Sequence, residues 1–153
     1  MRLRQLLPEI FDQGYPVKIN HSASSYIQRT KGYFHDEDEL GSHREGDYGY
    51  KIGISRALNT SHSHVMFDRR GSIEKGGGNL HKANKIMTTV HNVIKSHLHQ
   101  YPESKGIYFS SSEDEPSRTK LYHHIAHRLS PNYKVSETGI GTEFHIDRKD
   151  MKL

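Results

Sequence analysis

The chain has 153 residues, the size of one domain. Only 32% are hydrophobic and none is Cys, which excludes disulfide staples, thiolate metal sites and a cysteine nucleophile. Lys and Arg number 22 against 18 Asp and Glu, a net charge of +4 before any of the 13 His is protonated. That excess permits nucleic-acid contact without requiring it. With so little apolar content the expected core is thin and partly built from the 9 Tyr. No apolar run approaches the ~20 residues of a membrane span. The N-terminal stretch MRLRQLLPEIFDQG is too short and too acidic for a secretion signal. The expectation is a soluble, cytoplasmic protein with no membrane partner.

Residues 1–14 read as an arm whose helical potential is limited by Pro8. A single strand or bent strand is expected over 15–28, and a charged loop over 34–47. The clearest strand follows, with Tyr48, Tyr50, Ile52 and Ile54 on one face and Gly49, Lys51 and Gly53 on the other. A turn at Asn59–Ser61 leads to a second strand, where Ser63, Val65 and Phe67 oppose His62, His64 and Met66. The Gly-rich connection 69–79 precedes a helix defined by Ala83, Ile86, Met87, Val90, Val93, Ile94 and Leu98. Tyr101-Pro102 stops that helix, and Gly106 opens a short strand, IYF. Pro116 suits the first turn of a second helix burying Leu121, Ile125 and Leu129, with Tyr122 or Ala126 beside them. Tyr133–Val135 and Glu143–Ile146 close the chain as a strand pair, ahead of a polar tail, 148–153. The whole reads as one mixed α/β domain over 15–147: a central, mostly antiparallel sheet with two crossover helices.

Three groups of residues can carry chemistry. Gly76, Gly77, Gly78 and Asn79 lead into a helix, where free backbone N–H groups and the helix dipole suit an anion. Arg70 and Lys75 add positive charge there, although three glycines equally suit a plain turn. His62 and His64 share a strand face and titrate near neutrality, which suits a general base; histidines on an exposed face are the bland alternative. Tyr122 stands on an amphipathic helix, where a core tyrosine with a satisfied hydroxyl is the competing reading. His62/His64 and His123/His127 each offer two imidazoles, but no carboxylate stands at a telling spacing, and no metal site is expected.

The order of strands, Gly-rich connection, helix, strand, helix and closing strands resembles the GCN5-related N-acetyltransferases over roughly 46–147. Gly76-Gly77-Gly78-Asn79 is similar to the segment with which that family holds the coenzyme A pyrophosphate. Ser117-Arg118-Thr119-Lys120-Leu121-Tyr122 is similar to its second crossover helix, whose Tyr protonates the departing thiolate. The resemblance implies an acetyltransferase-like topology and an acyl-coenzyme A-dependent N-acyltransferase acting on an amine. Acetyl-coenzyme A or another acyl-coenzyme A would lie against Arg70, Lys75 and Gly76–Asn79, with Tyr122 as acid and His62 or His64 as base. The section 83–133 is also similar to small phage-encoded proteins, which implies a bacterial or phage-infected host cytoplasm. A non-catalytic protein that binds a host protein or nucleic acid is the alternative, with Arg2, Arg4, Arg69, Arg70, Lys75, Lys82 and Lys85 as a basic edge.

Overall fold

The computed structural model describes residues 14–35, 49–69, 80–114 and 116–152. Seven strands form one sheet: β1 (Lys18–Ala23), β2 (Ile27–Phe34), β3 (Tyr50–Ala57), β4 (Ser63–Arg69), β5 (Gly106–Ser112), β6 (Lys134–Thr138) and β7 (Gly141–Asp147). Two helices cross over, α1 (Leu80–Gln100) between β4 and β5, and α2 (Pro116–Leu129) between β5 and β6. The sheet order is β1-β2-β3-β4-β5-β7-β6. Every pair is antiparallel except β4–β5, which is parallel. This is the mixed α/β architecture that the sequence implies, a central, mostly antiparallel sheet with two crossover helices.

The N-terminal third departs from the expected single strand. Residues 18–34 form a hairpin, and Phe34 ends β2 instead of opening a loop. The turn is made by Ser24, whose Oγ accepts the N–H groups of Tyr26 and Ile27, both at 3.3 Å. A serine side chain here does the work usually signalled by Gly or Pro.

Strand alternation puts the large apolar side chains of the core on one face, and both helices pack there. Ile52, Ile54, Val65, Phe67, Ile107, Phe109, Phe144 and Ile146 meet Val90, Val93, Ile94 and Leu98 of α1 and Tyr122, Ile125, Ala126 and Leu129 of α2. Tyrosine makes up part of the shortfall in aliphatics. Tyr50 stacks on Phe34 with ring centroids 4.7 Å apart, and Tyr122 packs on Phe109 at 5.0 Å.

The rest of the interior is held by polar groups. His97 of α1, fully buried, bonds Thr30 Oγ1 through Nδ1 (2.7 Å) and Ser63 Oγ through Nε2 (2.8 Å). The chain extends from Thr30 to His21 (2.8 Å) and Ser96 (3.1 Å), and from Ser63 to Ser104 (2.7 Å) and the Gly106 carbonyl (2.9 Å). One proton order satisfies every member. Ser104 donates to the carbonyl, so it accepts from Ser63, which in turn accepts from His97 Nε2–H. His97 Nδ1 then accepts from Thr30, Thr30 accepts from His21 Nδ1–H, and His21 Nε2 accepts from Ser96. Both imidazoles are neutral in that arrangement. Burial, reinforced by His21, Arg56 and Arg148, lowers the pKa of His97 to about 4.

Residues 148–152 close the fold. Arg148 donates through Nη2 to the carbonyls of Leu98 and Tyr101 and through Nε to that of Ser104, neutralising the C-terminal end of α1. Lys152 N–H donates to the Leu129 carbonyl at the end of α2.

Candidate functional site

Parallel strands β4 and β5 pair at only two positions, Ser63↔Ile107 and His64↔Tyr108. Beyond them β4 stays with β3 as far as Arg69, while β5 stays with β7 as far as Ser112. The sheet therefore forks. Helix α2 holds the β5 arm, because Tyr122 packs on Phe109 and Phe144, and Thr119 bonds Ser111 Oγ at 2.7 Å.

A cleft of about 470 Å³ occupies the fork. Its β4 wall carries His64 and Met66 toward the open face of the sheet and Val65 and Phe67 toward the helices. Ser110 lines the β5 side, Lys51 and Gly53 the β3 side, and Arg118 and Tyr122 come from α2. Gly53 gives the cleft its width: a Cβ built there would find only Met66 Cε, at 3.9 Å.

His64 and Tyr122, two of the three expected catalytic residues, thus line one cleft. His64 stacks on Tyr108 with ring centroids 4.8 Å apart, and Tyr108 stacks on His145 at 5.4 Å. The register places these rings in one row across β4, β5 and β7. Burial lowers the pKa of His64, opposed by the Glu143 carboxylate. Its imidazole is therefore neutral at neutral pH, the form a base requires.

His62, the third, lies outside the cleft, just ahead of β4. Its Nε2 bonds Asp147 Oδ1 at 2.7 Å and its Nδ1 bonds Ser61 Oγ at 2.7 Å. The His62 hydrogen bond holds the Asp147 carboxyl below the ordinary carboxylate range. This pair borders a separate hollow of about 400 Å³ beside Lys105 and Arg148. The expected anion-binding residues Arg70, Lys75, Gly76, Gly77, Gly78 and Asn79 lie outside the described residues; α1 begins immediately after them, at Leu80. Among the described residues no three metal-ligating side chains cluster, and no helix is long and apolar enough to cross a membrane. The sequence reading missed Lys51, Gly53, Ser110 and Arg118. Gly53, a bare position between two buried Ile, was the one local signal of a close approach or an opening.

No protein-family model matches the sequence, and no curated protein matches it. Among solved structures, the chain is similar to the spermidine/spermine N-acetyltransferase SpeG of Vibrio cholerae, at 11% identity over 82% of this chain and 67% of that one, with a TM-score of 0.46. A chimera of that enzyme with hSSAT gives 11%, 82%, 72% and 0.47 on the same measures. A Bacillus subtilis acetyltransferase in complex with CoA gives 8%, 86%, 99% and 0.45. The chemistry of the site follows from its own geometry.

Proposed function

We propose that this chain is an acyl-coenzyme A-dependent N-acyltransferase acting on an amine. The observation that carries the reading is the fork. Parting two strands exposes backbone N–H and C=O groups, and an extended, amide-containing molecule can pair with them as an added strand does. The pantetheine arm of coenzyme A is such a molecule, and Gly76–Asn79 with the start of α1 would receive its phosphates.

Bound in the fork, an acyl thioester supplies an activated carbonyl and a thiolate leaving group. The amine nitrogen attacks the carbonyl carbon, so that a C–N bond forms while the C–S bond breaks. His64, neutral and at the cleft wall, takes the proton from the attacking nitrogen. Tyr122 delivers its phenolic proton to the departing sulfur and regains one from solvent. The products are an amide and free coenzyme A. His62, engaged at both ring nitrogens outside the cleft, has no part in these transfers.

Calorimetric and thermal-shift titration with acetyl-coenzyme A tests the reading. Saturable binding that Gly53→Leu abolishes is expected, because the new side chain grows into the cleft. Silence with the coenzyme, together with a salt-sensitive shift on adding a short nucleic-acid duplex, would move the function to the basic edge instead.

A further inference from the structure

The open face of the sheet carries a cluster of cations on β1, β2 and β3, and the cleft sits at its edge. β1, β2 and β3 contain no acidic residue. On the open face they present Lys18, Arg29 and Lys31, all exposed. Lys51 is there too, opposite Asp68 in register. Apart from Asp68, the carboxylates of this face among the described residues, Glu143 and Asp147, stand on β7 and are bonded to His145 and His62.

Register defines what lies between the cations and the cleft. One row reads Arg29–Ser55–His64–Tyr108–His145, and the next Lys31–Gly53–Met66. The two β3 positions in these rows are Ser55 and Gly53, so the floor between His64 on β4 and the cations on β2 is a trough with almost no side-chain bulk. Two strand spacings make that trough ~10 Å across, and the long Arg29 and Lys31 side chains can reach inward over it.

We infer that the acceptor is an amine carrying its own anionic group, a carboxylate or a phosphate, roughly 5–10 Å from the reacting nitrogen. The anion rests on Arg29 and Lys31, the linker crosses Ser55 and Gly53, and the nitrogen arrives at His64. A polycationic amine meets repulsion on the same path. This rests on the acyl-transfer reading and adds the substrate class to it.

The test uses a matched pair, 3-aminopropyl phosphate and 3-aminopropanol, with spermidine as the cationic comparison. Acetyl-coenzyme A is the donor and released thiol the readout. The phosphate is expected to exceed the alcohol in kcat/KM by about ten-fold or more, in proportion to two cations at partial solvent screening. In the Arg29→Glu/Lys31→Glu double variant, whose fold is checked by its melting curve, that ratio should fall to one or below. Added salt should lower the ratio in the wild type. Equal rates for the pair, a preference for spermidine, or no turnover of any of the three while acetyl-coenzyme A still binds would overturn the acceptor class alone. Absence of acetyl-coenzyme A binding would instead remove the acyl-transfer reading beneath it.

Discussion

Acid should unfold this protein through His97. In the folded state its pKa is about 4. In the unfolded chain it returns to the ordinary 6.5, so the unfolded state takes up the proton first. Stability from this group is therefore complete above pH 6.5, falls as pH drops below it, and stops falling once pH passes the folded value of about 4. At pH 5 the unfolded population gains a factor of about 30 from this residue alone, or about 2 kcal/mol, and about 3 kcal/mol is lost by pH 4. That is a large share of a typical net stability of ~5–15 kcal/mol. The perturbation is His97→Gln, which cannot titrate. It should be less stable at pH 7.5 by about 1–3 kcal/mol, because Thr30 or Ser63 loses a buried partner. Urea unfolding at fixed ionic strength, in half-unit steps from pH 7.5 to 5, measures both proteins. Burial also lowers the pKa of His64 and His91, whose effects are shared by both chains and cancel in the difference, whereas His21 is joined to His97 through Thr30 and belongs to the same network. The gap between wild type and variant should therefore narrow by about 2 kcal/mol on acidification. Parallel profiles would show that His97 is not held neutral, and the proton order along the Ser96–Gly106 chain would be wrong.

Other expectations concern the cleft and the sheet. Tyr122→Phe should keep acetyl-coenzyme A affinity and lose turnover by roughly a hundred-fold; an unchanged rate in a thiol-release assay would remove the acid role. Gly77→Asp should weaken coenzyme binding by placing a carboxylate beside the phosphates, and that effect should shrink with salt; unchanged calorimetric affinity would exclude the loop. Gly53→Leu should melt no lower than the wild type while losing coenzyme affinity, and a loss of both would mean that the position is packed instead of open. Gly141→Ala should cost about 3 kcal/mol, a fall in Tm of roughly 6–12 °C by differential scanning calorimetry. Its Cβ would fall 1.9 Å from the Ser111 carbonyl oxygen. A smaller fall would mean that β5 and β7 part easily at that end.

What the sequence disclosed follows from how far apart the determinants lie. The spacing from Ala83 to Leu98 and the alternation in β3 and β4 are local, and they led directly to α1 and to the faces of 50–54 in β3 and 63–67 in β4, while Tyr48 lies outside the described residues. The β1–β2 hairpin escaped because its turn is built by the Ser24 hydroxyl. Local composition also cannot separate His62 from His64, two residues apart on one face. Asp147, 85 positions along the chain, makes the distinction by engaging His62. The fork lay furthest from view, since it is a failure of pairing between two strands that each look regular alone. Tyr122 and His64 could be nominated from residue type, but their meeting in one cleft depends on that failure.

The two-position seam between β4 and β5 has a mechanical meaning. It makes the sheet two antiparallel blocks, β1–β4 and β5–β7, joined at Ser63–Ile107 and His64–Tyr108. The buried chain from His97 through Ser63 and Ser104 to the Gly106 carbonyl clasps that seam from beneath. Fraying toward the open end therefore leaves the joint in place. A molecule lying along both arms would bridge them as a missing strand bridges a gap, so that occupancy of the fork would couple the two blocks into one sheet.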